Sequence, residues 1–373
     1  MRVFMDECDY LIHLIRCAIH NQQPCELPQG LCFDRIYECG VYHHVANIAF
    51  YSVEKLTNKP ADELYRKWQA CRDRAVILDI NQNYAAQEIR AALEGASIRF
   101  LEVQGTKLKP LYPHPEWRTM SDIDFIIDPE NLQKAADLLK GLGYECEEKY
   151  GAEVDAHRRP NINIEMHSHY FLEAIEYREA LRLPFETVEQ TGQYDLNEFY
   201  LYNILHIARH YFYGGCGIRR VLDAYFLNKT FGEMLDRQYI QDALERVNAA
   251  DFAAELSELA DAWFGGAEQN VSRCKMAKYI ILSGMHGTRS NATKKYLDQH
   301  YDSTARFGKL KYMFHRFAGS GGILRKAYPV LEQYKILYPF CWVHRAFCSL
   351  RPKMIKRFIS EVKAVNKSDT MGK

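Results

Sequence analysis

The chain has 373 residues, of which 47 % are apolar and 26 % charged, a balance typical of a globular protein with one large or two to three modest domains. Its 48 basic and 48 acidic residues give a formal net charge of zero, so no global basic field attracts a long nucleic acid. The 11 cysteines include no C-x-x-C pair, and no run reaches the roughly 18 apolar residues of a membrane-spanning helix. Because the first residues lack a secretory leader pattern, we expect a cytoplasmic protein with reduced thiols.

The N-terminal quarter of the chain has the periodicity of helices. Apolar residues recur at three- and four-residue spacing over about 6–20, 42–56 and 60–93, and Gly95 ends the last of these stretches. We therefore assign residues 1–94 to a helical N-terminal region.

Potential metal ligands are concentrated in this region. Five cysteines, Cys8, Cys17, Cys25, Cys32 and Cys39, lie within its first 39 residues. Free cysteines usually pack as small buried hydrophobes, an interpretation that we favour over a structural zinc site. His43 and His44 are adjacent rather than four residues apart, so we expect solvated or helix-capping side chains instead of shared ligands.

A carboxylate pair follows the first predicted strand. The strand covers residues 97–103 and leads into a turn at Gly105. Asp122 and Asp124 then lie two residues apart in a run of strand-forming residues, so both project from one face of a strand.

A third carboxylate lies on a later strand. Polar and apolar residues alternate over 161–166, so Glu165 projects from the polar side. Like charges on neighbouring strands raise one another's pKa unless a cation lies between them. Mg²⁺, with Mn²⁺ as an alternative, prefers such oxygen ligands, and Mg²⁺ is commonly shared between protein carboxylates and nucleotide phosphates. The cluster favours phosphoryl or nucleotidyl transfer, and the alternative is that these are exposed strand residues without a ligand.

Several motifs along the chain point to one family. They are the glycine turn at Gly105, Tyr112-Pro113, Arg118, SDIDFII from Ser121, Gly143-Tyr144, IEMH ending at His167, LYNILHIARH at 201–210, GIRRVLDAY at 217–225 and YPVLEQYKILYPFCWVHRAF from Tyr328. Together they resemble the uncharacterised bacterial nucleotidyltransferase family of the DNA polymerase beta superfamily. The resemblance implies a metal bound by Asp122 and Asp124, with Glu165 as the third carboxylate.

The resemblance also implies a nucleotide side of the site. Gly105 and Thr106 would form the turn beside the phosphates, and His167 would lie near the active site. This chain departs from the family at Gln104, where the family usually has a lysine. Lys107 and Lys109 are candidates to replace the missing positive charge.

The chain after the predicted core is helical in pattern. A helix over 197–213 places His206 and His210 away from its apolar stripe, either as substrate or phosphate contacts or as a structural hydrogen-bonded pair. Arg219 and Asp223 follow at i, i+4 spacing, as a surface ion pair or as part of the same cleft, where Arg219 would bind triphosphate.

The last segment is basic and aromatic. Over residues 304–363 it has the pattern of broken amphipathic helices. Such helices either cover the domain with lysine and arginine stems, which we favour, or bind a membrane surface or an acidic partner.

We therefore predict an α+β protein whose small mixed β-sheet nucleotidyltransferase core, residues 95–190, is flanked by helical N-terminal and C-terminal regions, the latter at 191–290. The expected reaction moves a nucleoside monophosphate from a nucleoside triphosphate, with ATP expected, to a hydroxyl or phosphate of an unidentified small molecule or protein. A catalytically inactive nucleotide-binding or regulatory module is the alternative. The expected catalytic residues are Asp122, Asp124 and Glu165, and the expected nucleotide contacts are Gly105, Thr106, Lys107, Arg118, His167, His206, His210, Arg219 and Asp223.

Overall fold

A computed structural model of the chain describes residues 2–149, 152–170, 175–186, 195–266, 274–287 and 340. The chain divides into two compact units, the first formed by residues 1–210 and 216–285 and the second by residues 211–215 and 286–373. Apart from Phe340, the basic segment at 304–363 lies outside the described residues, so its proposed partners stay a prediction.

Four helices precede the sheet. They are α1 (Arg2–Ile19), α2 (Phe33–Tyr42), α3 (Ala46–Val53) and α4 (Asp62–Gly95). The long helix α4 begins with Asp62 and Glu63 in its first turn, where negative charge complements the helix dipole, and it ends at Gly95 as predicted. Its first half packs against α2 and α3, for example where Trp68 meets Tyr37 with ring centroids 5.3 Å apart.

The helix predicted over 42–56 is shorter in the structure, where it is α3 and begins only at Ala46. The chain turns at His44, whose φ of 55° is incompatible with a continuous right-handed helix. The prediction that His43 is solvated is wrong, because its side chain is fully buried, whereas the helix-capping alternative agrees with its position as the C-cap residue of α2. Its Nδ1 atom accepts a hydrogen bond from the backbone N–H of Ile218 at 3.2 Å.

A disulfide links the first two helices. Cys8 on α1 and Cys39 on α2 are both fully buried, and their Cα atoms lie 6.2 Å apart. This bond corrects the prediction of reduced thiols for these two residues. Cys17 is buried, with its Sγ atom 3.6 Å from Nε2 of His13, whereas Cys25 and Cys32 are exposed.

The five described strands form one mixed sheet. They are β1 (Phe100–Val103), β2 (Ile123–Ile127), β3 (Glu145–Lys149), β4 (Glu153–Arg158) and β5 (Ile162–His167). Their order across the sheet is β1-β2-β5-β4-β3, with β2 and β5 parallel and the other neighbours antiparallel. The predicted α+β class, a small mixed sheet with flanking helices, is confirmed.

The alternation along each strand gives the sheet one apolar and one polar face. The apolar face packs on the second half of α4 and on α6 (Leu132–Gly141). The buried side chains of this layer are Ala85, Ala86, Ile89, Leu93, Ile123, Phe125, Ile127, Leu132, Ala135, Ala136, Leu139, Val154, Ala156, Ile162, Ile164 and Met166. The predicted carboxylates lie on the opposite, polar face, because they alternate with these residues.

The remaining described helices are α5 (Gly105–Leu108), a single turn after β1, and five helices that follow the sheet. These are α7 (Leu196–Tyr213), α8 (Ile218–Phe231), α9 (Arg237–Arg246), α10 (Ala250–Phe264) and α11 (Lys275–Ser283). Asp195 caps α7, since its carboxylate accepts a hydrogen bond from the N–H of Asn197 at 2.8 Å. None of the described helices combines the length and the apolar character needed to cross a bilayer.

Burial of His43 predicts an acid-sensitive fold. Burial lowers the pKa of His43 to about 3, whereas the unfolded chain has a histidine pKa near 6.5. The unfolded state therefore binds this proton first as the pH falls, so stability present above pH 6.5 is lost towards pH 3, by up to about 1.4 kcal/mol per pH unit. Urea unfolding between pH 7 and pH 4.5 should show this loss in the wild type and a shallower loss in His43→Gln. Parallel stability curves for the two proteins would contradict the prediction.

Candidate active site

The two predicted strands are direct neighbours, and their register aligns two of the carboxylates. Asp124 on β2 pairs with Glu165 on β5, and on its other side Asp124 pairs with Val103 at the end of β1. Paired residues on parallel neighbours project from the same face of a sheet. Asp124 is buried, with its side chain 6 % exposed, whereas the side chain of Glu165 is 35 % exposed.

His167 lies between these two carboxylates. Its Nε2 atom is 3.7 Å from Oδ1 of Asp124 and 3.5 Å from Oε2 of Glu165. One donor atom from each of the three residues falls within 4.8 Å of the others, a spacing that permits all three to coordinate a single metal ion. Alternation along β5 places His167 on the same face as Glu165, and the register of β5 against β2 brings it to Asp124.

The charges in this cluster shift one another's titration. Burial raises the pKa of Asp124, and hydrogen bonding from His167 opposes that shift. Burial by itself would lower the pKa of His167, but its hydrogen bonds to Asp124 and Glu165 and their charges outweigh burial and raise it to about 10. The imidazolium is therefore the internal counterion of the two carboxylates when no metal is bound.

Asp122 lies one residue before β2 and beside the pair rather than within it. Ser121 donates a hydrogen bond to its carboxylate at 3.1 Å. Burial, followed by the charges of Asp124 and Glu165, raises the pKa of Asp122 to about 6. Thus Asp122 is within electrostatic range of the other two carboxylates, while the tightest donor group contains His167 in its place.

The predicted phosphate-side turn adjoins Asp124. Gln104, with a φ of 54°, donates from Nε2 to Oδ1 of Asp124 and to the hydroxyl of Tyr202, each at 3.3 Å. The departure at position 104 therefore places a neutral amide directly on a candidate metal ligand. Gly105 is buried against Met120, where an added Cβ would lie 2.4 Å from the Met120 sulfur. The Thr106 hydroxyl donates to the carbonyl of Val103 at 3.3 Å.

The two lysines after this turn have different environments. Lys107 is exposed. Lys109 is buried and donates to Asp79 at 2.7 Å and to Gln82 at 3.2 Å, so its charge is already paired. Lys109 therefore does not replace the lysine that is missing at position 104.

Asp223 has a partner that the local sequence spacing does not predict. Arg118 donates from Nε to Oδ1 of Asp223 at 2.7 Å, and the Tyr112 hydroxyl donates to the same oxygen at 2.7 Å. Both side chains of the Arg118–Asp223 ion pair are at most 3 % exposed. The predicted i, i+4 pair of Arg219 with Asp223 does not form; Arg219 donates instead to the carbonyl and hydroxyl of Thr119.

His206 and His210 contact each other and a residue that the sequence reasoning did not single out. Their Nε2 atoms lie 3.3 Å apart, and Arg220 on α8 donates to His206 at 3.0 Å and to His210 at 3.1 Å. Burial and the charge of Arg220 hold the pKa of His206 well below its usual range. The sequence signal that was available for Arg220 was the pair of successive arginines, Arg219 and Arg220, at the start of α8.

An acidic groove of about 500 Å³ opens on the polar face of the sheet beside Asp122 and Glu165. It is lined by Asp122, Glu145, Cys146, Glu147, Asp155, Ala156, His157, Asn163, Ile164 and Glu165. Glu147, Asp155, Glu165 and Asp124 form one cross-strand row over β3, β4, β5 and β2. No lysine or arginine is found among the described residues that line the groove. Like charges directly opposite one another destabilise a sheet, so this row favours occupancy by a cation or a cationic ligand.

An aspartate and a glutamate on neighbouring parallel strands form a carboxylate pair of the kind that can share Mg²⁺ with substrate phosphates. A family described as an uncharacterised nucleotidyltransferase matches residues 31–265. The chain belongs to this family, as its motifs predicted. No curated protein and no solved structure matches the chain.

Proposed function

We propose that the protein is a metal-dependent nucleotidyltransferase, of the DNA polymerase beta type, that moves a nucleoside monophosphate from a nucleoside triphosphate to an acceptor and releases pyrophosphate. Membership of a nucleotidyltransferase family supports the reaction class. The observation that carries the proposal is the aligned pair of Asp124 and Glu165 on parallel strands, with His167 between them.

The donor set fits a divalent cation. Asp124 and Glu165 offer oxygen ligands of the kind that Mg²⁺ and Mn²⁺ prefer, and His167 offers a nitrogen once it loses its proton. Asp122 is the further carboxylate within electrostatic range. A bound ion would supply Lewis-acid activation of the attacking oxygen and charge neutralisation at the phosphate.

The protein residues have separate roles on two sides of this centre. Asp124, which is buried and held by Gln104, anchors the metal-binding group. Glu165 lines the groove and is partly exposed, so it is suited to accept a proton from an acceptor hydroxyl. Arg219 and the backbone of Gly105 and Thr106 lie on the nucleotide side in this proposal.

The acceptor approaches through the acidic groove. A phosphate or carboxylate acceptor would be repelled by the row of carboxylates that crosses it, whereas a neutral or cationic molecule would not. The proposed acceptor is therefore a hydroxyl on a neutral or positively charged small molecule or protein side chain. The same charge disfavours a long nucleic acid.

Pyrophosphate release tests the proposal directly. With ATP, Mg²⁺ and a panel of neutral, cationic and anionic hydroxyl compounds, we expect acceptor-dependent release that is lost in EDTA and restored by Mg²⁺ or Mn²⁺. The metal is required because the two carboxylates cannot approach a triphosphate without it. Each acceptor is paired with a reaction that lacks protein.

The second candidate is an inactive nucleotide-binding module. It is favoured by Gln104, whose amide contacts Asp124 at the position where the family usually has a lysine. Calorimetric binding of nucleotide and Mg²⁺ without pyrophosphate release for any acceptor would support this candidate over the transferase.

A further inference from the structure

Three arginines and one aspartate are buried close together where α8 packs against the segment before β2. Arg118, Arg219 and Arg220 are 2 %, 7 % and 8 % exposed. Asp223 forms an ion pair with Arg118. Within the part of the chain that the structure describes, Arg219 and Arg220 form no ion pair with a carboxylate. A buried guanidinium without a counterion is unfavourable, so two such groups point to a missing anion.

Both arginines also carry a buried donor that is unused. The Nε atoms of Arg219 and Arg220 are inaccessible and have no hydrogen-bond partner among the described residues. The guanidinium of Arg219 donates its other hydrogen bonds to Thr119, and that of Arg220 donates to His206 and His210. Neither set of partners supplies negative charge.

Arg220 is linked to the metal-binding carboxylates by a chain of side-chain contacts. It donates to His206, whose ring stacks on Tyr202 with centroids 6.1 Å apart, and Gln104 donates both to the Tyr202 hydroxyl and to Asp124. Arg220 forms no ion pair with Asp122 or Asp124, although all three residues are described. A phosphate bound between a metal and a guanidinium would be attracted to both.

We infer that Arg220, together with Arg219, forms the subsite for the pyrophosphate end of the nucleotide and for pyrophosphate itself. The inference rests on the proposed function and assigns to Arg220 a role that neither its motif nor its local spacing indicated. His206 and His210 are positioning residues in this subsite. Both accept hydrogen bonds from Arg220 and so fix the plane of its guanidinium.

The tight backbone around the start of α8 supports a fixed position for these arginines. An added Cβ at Gly217 would lie 2.8 Å from the Cα of Met285 and 3.2 Å from Nδ1 of His43. His43 in turn binds the N–H of Ile218, the residue before Arg219. The helix therefore begins at a constrained point, and the subsite is preorganised.

Calorimetric titration with inorganic pyrophosphate in the presence of Mg²⁺ tests the subsite without any turnover. We expect binding to the wild type, about 10–100-fold weaker binding to Arg220→Gln, and an intermediate affinity for Arg220→Lys, which keeps the charge but loses the planar fork. Arg246→Gln is the matched control, because Arg246 is an exposed arginine in the last turn of α9. It should bind pyrophosphate as the wild type does.

The outcomes separate this inference from the proposed function. Wild-type pyrophosphate affinity in a folded Arg220→Gln protein, or no binding to the wild type, overturns the inference even if transfer activity is found. Should Arg220→Gln fail to fold by circular dichroism, Arg220→Lys decides, and unchanged affinity in that variant overturns the inference as well. Selective loss of pyrophosphate binding in Arg220→Gln, together with no transfer by the wild type to any acceptor, would support the subsite and overturn the transferase proposal.

Discussion

Replacing Asp124 by Asn is expected to lower the rate of pyrophosphate release on the order of 10²–10³-fold, the size of effect seen when one preorganised electrostatic group is removed. Asp124 is the most buried carboxylate of the cluster, and it contacts both Gln104 and His167. The substitution keeps the shape of the side chain but removes a negative charge from the candidate metal-binding group. Steady-state kinetics with saturating Mg²⁺ measures the effect.

The control for this substitution is Asp137→Asn, because Asp137 is an exposed aspartate on α6, which packs on the opposite, apolar face of the sheet. It should leave the rate unchanged. Thermal unfolding of Asp124→Asn is expected to show no large loss of stability, because the substitution also relieves repulsion from Glu165. Full activity in a folded Asp124→Asn protein would remove Asp124 from the mechanism.

A second substitution is expected to act on stability. Asp223→Asn should lower the free energy of unfolding by about 3–5 kcal/mol, the cost of removing one partner from a buried ion pair. Arg118 would stay buried without its carboxylate, close to two further buried arginines, Arg219 and Arg220. Urea denaturation followed by circular dichroism measures the change.

Asp242→Asn is the comparison for that measurement. Asp242 lies on the exposed side of α9, where it accepts a hydrogen bond from Gln238 at 2.7 Å. The expected change is within about 0.5 kcal/mol. If Asp223→Asn proves equally mild, the Arg118–Asp223 pair does not have the energetic role that its burial indicates.

The strand positions of the carboxylates could be predicted, because they depend on local pattern. The run around Asp124 and the alternation ending at His167 each identify a strand and the face from which its polar residues project. Their pairing could not be derived in the same way. The neighbour and the register of a strand depend on tertiary contacts, and β4, which pairs with β5 along its whole length, has acidic residues that resemble a polar loop in the sequence.

The contacts of the helical region were harder to predict than its helices. Spacing of i, i+4 predicts Arg219 as the partner of Asp223, yet the partner is Arg118, 105 residues earlier in the chain. Two neighbouring arginines on a helix face different surroundings, and only the packing of α8 decides which of them meets His206 and His210. The burial of His43 is likewise a tertiary effect, because its hydrogen-bond partner is 175 residues away.

The continuity of α4 couples the N-terminal helices to the sheet. At 34 residues it is about 50 Å long, and its two halves contribute to two separate hydrophobic layers. Severing the chain near Gly95 would leave the sheet without Ile89 and Leu93, which cover its apolar face. The helices before the sheet and the catalytic core therefore form one cooperative folding unit, and a truncated core would be a poor substitute for the whole protein in any biochemical assay.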